Sequence, residues 1–94
     1  MSFPDSIPLE SRDMFYVYIL KSKINIEKYY VGITNDLYRR VKQHNLNPSC
    51  SYTIKYTPWM LETYIVFQNY NQAHQFEKYL KTHSGKAFLT KRLI

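Results

Sequence analysis

Ninety-four residues with 13 Lys plus Arg against 7 Asp plus Glu carry a net charge of +6, and a chain of that length supports one hydrophobic core rather than two. A hydrophobic content of 45%, with 17% aromatic residues and ten tyrosines, is too rich for a disordered chain. The single cysteine, Cys50, excludes an intramolecular disulfide framework and a cysteine-based metal finger, and points to a reducing, cytoplasmic setting.

Residues 1–13 hold two prolines and Asp5, Glu10 and Asp13 against Arg12. They read as a flexible leader ahead of a domain over 14–94. No positively charged start precedes an apolar stretch, so no secretory signal is expected. The longest apolar run, Met14 to Leu20, has seven residues, where a membrane crossing needs about 20. Phe15 to Leu20 is β-branched and aromatic, and Tyr29 to Ile33 repeats the style after a polar connector, which predicts a hairpin. Centring it near Ile24 sets Tyr18 opposite Tyr30. Asn35 or Asp36 caps a helix through Leu37 to about Asn45, ended by Asn47-Pro48. Residues 46–57 read as a loop, and Pro58 opens a third strand, Trp59 to Phe67. Asn69 or Asn71 caps a second helix from about Gln72 to His83, and Ser84-Gly85 separates it from a short final helix. The order strand, strand, helix, strand, helix, helix predicts an α+β domain: a three-stranded antiparallel sheet flanked by helices.

The acidic leader has a net charge of −2, which leaves +8 for residues 14–94. From Lys78 onward stand Lys78, Lys81, Lys86, Lys91 and Arg92 with no acid. A polyanion suits such a surface, and lysines that merely keep a small domain soluble suit it as well.

Three polar positions stand out against the apolar pattern. Ala73, Phe76 and Leu80 form a buried stripe in the second helix, and at about 100° per residue Glu77 falls inside it. A carboxylate aimed at a core is costly unless it is paired, solvated or bound to a cation. It is either a snorkelling acid paired with a lysine or a metal- or proton-handling group at the base of a cleft. In the first helix Leu37 and Val41 mark the inward side, and Arg40 and His44 share one border of it, spaced i and i+4. Together they offer donors suited to a phosphate; taken singly, Arg40 is a stacking residue and His44 a capping or core histidine. On the strands, Tyr16, Tyr18 and Leu20 share one face, as do Tyr30, Gly32 and Thr34. Two phenols side by side with a glycine next to them leave open space above the backbone, although tyrosine pairs in sheets are commonly packing.

Tyr16-Val17-Tyr18, then Tyr30-Val31-Gly32, Arg40 eight residues after that glycine, His44 one turn on, and Glu77 in Glu-Lys-Tyr-Leu-Lys together resemble the GIY-YIG nuclease family. The likeness is to its small stand-alone members, similar to the N-terminal nuclease domain of the excision-repair excinuclease. Either triplet alone is a weak pattern; the ordered set over a matching element order is specific.

The resemblance implies hydrolysis of DNA phosphodiesters with Mg²⁺ or Mn²⁺ held by Glu77, in repair, recombination or processing. Within it Tyr18 activates water, Tyr30 orients the water or phosphate, and Arg40 stabilises phosphoryl charge. Lys42, Lys78, Lys81, Lys86, Lys91 and Arg92 then contact DNA, and a larger repair or recombination assembly supplies targeting. An ordinary phenol with a pKa of about 10 is a poor base at neutral pH, so the site is expected to favour phenolate through Arg40 and the metal. Two positions depart from the family pattern: Tyr16 replaces the first glycine, and Ile33 stands where relatives carry a lysine, leaving Thr34 or His44 to compensate. The competing readings are a catalytically silent nucleic-acid-binding module of the same fold and a purely structural subunit.

Overall fold

A computed structural model describes residues 14–46 and 51–94; the expected leader and the Asn47-Pro48 helix stop lie outside the described residues. The elements are β1 (Phe15–Ser22), β2 (Tyr29–Thr34), α1 (Leu37–Leu46), α2 (Ser51–Lys55), β3 (Trp59–Phe67), α3 (Tyr70–Leu80) and α4 (His83–Arg92). The strands form one antiparallel sheet in the order β2-β1-β3, the predicted α+β architecture. Among the described residues no helix is long and apolar enough to cross a membrane.

Alternation along β1 sends its residues to two cores. Val17 and Ile19 join Val31, Ala73, Leu80 and Leu89 under α3 and α4. Tyr18 and Leu20 join Trp59 on the opposite face, with Tyr30, Leu37, Val41 and Tyr56 packed around them. The central strand is thus buried on both sides, which accounts for its near-continuous apolar run. Each fully buried Val, Ile or Leu contributes about 1.5–3 kcal/mol.

Three local expectations are corrected. Tyr18 lies opposite Gly32, and Tyr30 opposite Leu20, so the hairpin centres one residue later than expected, at Asn25. Side chains in the connector set this register. The Ser22 hydroxyl accepts from the backbone N–H of Ile24 and Asn25, and the Asn25 carbonyl accepts from Lys28. A register shift of two keeps every side chain on its predicted face.

The segment expected to be loop throughout contains α2, anchored by the Trp59 indole N–H, which donates to the Thr53 carbonyl at 3.0 Å. The α3–α4 break falls at Lys81–Thr82 rather than at Ser84-Gly85. The Thr82 side chain caps α4 by accepting from Gly85 N–H, which pulls both residues into the first helical turn. Gly85 is needed there for contact, since a Cβ would run into the Tyr79 carbonyl.

In β3, Ile19 pairs with Thr63 and Leu20 with Leu61, leaving Glu62 as an extra residue. Such a bulge flips the alternation beyond it. Tyr64 therefore lies across from Tyr18 and on its face, together with Trp59 and Leu61.

Candidate active site

α1 begins where Asp36 accepts from Arg39 N–H at 3.2 Å through its side chain and from Arg40 N–H at 3.1 Å through its carbonyl. Capping of this kind satisfies amide donors that a helix start leaves unpaired. From that start, Leu37, Val41 and His44 fall on one inward stripe, and His44 is buried at 8% exposure. Arg40 stands one turn before His44 and its charge acts on the imidazole; His44 lies under the helix while Arg40 is exposed. The spacing accounts for that burial, since His44 stands i+7 from Leu37, two full turns along the same inward stripe.

Tyr18 and His44 meet directly, with 2.9 Å between the phenol oxygen and Nε2. Tyr30 completes a ring cluster, its centroid 4.6 Å from His44 and 6.3 Å from Tyr18, and it contacts Trp59 at 6.5 Å. Gly32 makes room for this cluster, because a Cβ there would collide with the Tyr18 hydroxyl.

Burial pushes the Tyr18 phenol well above the usual tyrosine range; Tyr30 and Glu77 add to the rise, and Arg40 opposes it. The expectation of a site that favours phenolate is therefore corrected for the protein's own groups. Desolvation of a phenol 2% exposed outweighs the guanidinium. The same burial, with the Arg40 charge, lowers the His44 pKa below the ordinary histidine value. At neutral pH both shifts favour the neutral forms, a protonated phenol facing an uncharged imidazole.

Glu77 lies in the stripe where the pattern put it, buried between Ala73 and Leu80. Its carboxylate pairs with Lys81 at 2.5 Å, one turn along, and its charge reaches Tyr18. The acid is paired with a lysine, as the snorkelling reading has it, and it is 8% exposed with its charge acting on the phenol. Among the described residues no group of three or more His, Cys, Asp or Glu could cage a metal. One carboxylate fits a hard cation that keeps several waters, as Mg²⁺ does, and not a metal that needs a full protein ligand set.

The six basic residues expected at nucleic acid fall on two layers, and all are exposed. Lys42 lies on α1, where its ammonium sits 5.3 Å from the centre of the Tyr38 ring. Lys78 is on α3 and Lys81 is the C-cap of that helix, and Lys86, Lys91 and Arg92 are on α4.

Two supporting residues escaped the sequence reading. Asn45 donates to the Trp59 carbonyl at 3.0 Å and accepts from Trp59 N–H at 2.6 Å, which ties α1 to β3 one residue after His44. Ser22 donates to the Tyr56 carbonyl at 2.7 Å, joining the hairpin to the segment before β3. Neither carries a local signal, because both bonds cross long sequence separations.

The family model for the GIY-YIG catalytic domain matches residues 14–92. The chain belongs to the GIY-YIG family. It is 41% identical over 68 residues to UPF0213 protein CPE1444 of Clostridium perfringens, covering 72% of this chain and 71% of that one. UPF0213 protein YazA of Bacillus subtilis is 37% identical over 73 residues, covering 78% and 71%. UPF0213 protein HQ_3675A of Haloquadratum walsbyi is 33% identical over 72 residues, covering 77% and 79%.

Within the GIY-YIG frame the two departures acquire structural meaning. Ile33 points away from Tyr18 and packs with the apolar core under α3 and α4, so it adds nothing polar beside the phenols. Of the two residues expected to compensate, Thr34 is committed elsewhere. Its hydroxyl donates to the Asp36 carbonyl at 3.3 Å and accepts from Asp36 N–H at 3.1 Å. His44 is the one that meets Tyr18. Tyr16, at the first glycine of the motif, packs edge-on against Tyr64 with centroids 5.8 Å apart.

Proposed function

We propose that this GIY-YIG chain is a divalent-metal-dependent DNA endonuclease acting in repair, recombination or processing, with Tyr18, Tyr30, Arg40, His44 and Glu77 as its working residues. The observation that carries the reading is the 2.9 Å contact between the Tyr18 hydroxyl and His44 Nε2. A buried phenol and imidazole joined in this way, with an arginine charge acting on both, form a proton-transfer pair beside a phosphate-binding group.

Attack on phosphorus requires a water to lose a proton as its oxygen bonds. The Tyr18 oxygen accepts that proton while its own passes to His44 Nε2, so no free phenolate accumulates and the upward shift of the phenol is no obstacle. As the P–O bond breaks, the departing alkoxide oxygen takes a proton from water and His44 returns its proton to solvent, while Arg40 neutralises the charge that builds on the phosphoryl oxygens. Tyr30, in ring contact with His44, holds the imidazole against Tyr18 and orients the water or phosphate. Glu77 would hold the cation, Mg²⁺ or Mn²⁺, which when bound supplies Lewis acidity at phosphoryl oxygen. Lys81 shares that carboxylate and yields it as metal arrives. The exposed lysines of α1, α3 and α4 supply attraction for the DNA backbone that falls steeply with salt.

The test is cleavage of supercoiled, flapped and branched DNA in Mg²⁺ or Mn²⁺ by wild type and Glu77→Ala. We expect cutting by wild type and none by the variant, with unchanged circular dichroism. Full activity in Glu77→Ala overturns the assignment, and binding without cutting by wild type identifies a silent nucleic-acid-binding module instead.

A further inference from the structure

The sheet face that carries Tyr18 is only partly covered by α1. Beyond the helix an open groove of about 560 Å³ remains, within the ~300–1,000 Å³ range of small-ligand sites. Tyr16 and Leu61 form its floor, Leu37 and Val41 its helical wall, and the rings of Tyr38 and Tyr64 its two flanks. Those flanking rings are 76% and 48% exposed, so apolar aromatic surface is presented to solvent rather than consumed in the core. This groove takes no part in the chemistry described above. Two features that need not occur together create it: the bulge at Glu62, which turns Tyr64 to this face, and the replacement of the motif's first glycine by Tyr16.

The position of the groove says what it can hold. Tyr16 is two residues from Tyr18 on the same face, about 7 Å at the rise of an extended strand, and Val41 is one turn before His44. A strand whose phosphate is held by the exposed Arg40, the residue before Val41, therefore carries a neighbouring nucleotide across the groove. Lys42 adds positive charge beside the groove, its ammonium 5.3 Å from the centre of the Tyr38 ring. Asn35 and Asp36 also line the groove; the Asp36 carboxylate is engaged in capping α1 and pairing with Arg39 at 3.9 Å, whereas the Asn35 amide offers both a donor and an acceptor to the edge of a base.

We infer that the groove lined by Tyr16, Tyr38 and Tyr64 is a nucleobase site, taking one unpaired base adjacent to the bond being cut. This rests on the nuclease reading and adds to it a preference for substrate with a base out of its stack. A tyrosine face accepts any base, so the site selects for an unpaired base and not for sequence.

The experiment uses the full chain without divalent cation, so that no cutting occurs. Its probes are a single-stranded oligonucleotide with one 2-aminopurine and a fully paired blunt duplex of the same sequence. We expect wild type to quench the 2-aminopurine fluorescence at one position along the bound strand. Tyr64→Ala and Tyr38→Ala should each relieve the quench and weaken single-strand binding about 5- to 150-fold. Duplex binding should change less than about twofold, and Tyr64→Phe, which keeps the ring, should behave as wild type. Tyr38 lies on an exposed helix face, so its variant keeps the test sound if Tyr64→Ala melts early. Equal weakening of both probes, or no quench at any position while wild type still cuts DNA in a Glu77-dependent manner, overturns the base site alone. Wild type that binds neither probe overturns the base site and the nuclease reading together.

Discussion

The two faces of the sheet are built from one alternating strand and do opposite things. Under α3 and α4, Val17, Ile19, Leu80 and Leu89 are all 0% exposed and offer nothing to react with except Glu77 at the margin. Under α1 and α2, the buried set contains a phenol and an imidazole bonded to each other, with a second phenol and an indole in ring contact. Polar groups in a core are tolerated when each finds a partner, and here the partners are the groups to which the proposed chemistry is assigned. In the proposed function the first face supplies stability and the second holds its residues in place for catalysis. Their separation means that stability and turnover should respond to different substitutions.

The sharpest way to break that comparison is on the reactive face. Tyr18→Phe removes one hydroxyl from a well-packed ring, and we expect cleavage to fall about 10²- to 10⁴-fold with little change in stability. Single-turnover rates equal to wild type would remove Tyr18 from the chemistry, and a large loss of stability would show that this face is structural too. On the other face, Leu80→Ala should cost about 2–5 kcal/mol in denaturant unfolding and leave the rate per folded molecule near wild type.

A smaller effect is expected where the faces are joined to their helices. Asp36→Ala deletes the side chain that caps α1 and should cost about 1 kcal/mol, with activity lowered because α1 carries Arg40 and His44. An unchanged thermal midpoint would show that the cap contributes nothing.

The pH response should be the mildest. The His44 pKa is lowered by folding, so below about pH 6.5 the unfolded chain takes up a proton that the folded site resists. Stability from this group is complete above about 6.5 and declines as pH falls toward the depressed folded value; His44→Gln should flatten that decline. The cleavage rate should fall on the same acid limb as the imidazole loses its ability to accept the Tyr18 proton.

Much of this was legible in the residues. The strands and the buried stripe of α3 follow from local periodicity, which is why Glu77 could be singled out among seven acids. Side-chain parity survived an error in register, because a shift of two preserves the faces. What failed locally failed for one reason. α2 is stabilised by the indole of Trp59, the α3–α4 break by a Thr82 cap that outcompetes a Ser-Gly signal, and the Tyr64 orientation by a bulge. Each depends on a partner whose position is unknown until the chain has packed.

The sequence by itself determined the α+β order, the family, the two tyrosines, and the acid in an apolar stripe, because spacing and alternation are properties of the chain. Only tertiary structure decided that His44 rather than Thr34 meets Tyr18. It also decided that burial holds the phenol protonated, and that Tyr16, Tyr38 and Tyr64 converge on an open groove. Burial, desolvation and the meeting of side chains from β1, β3 and α1 arise only when those elements are brought together.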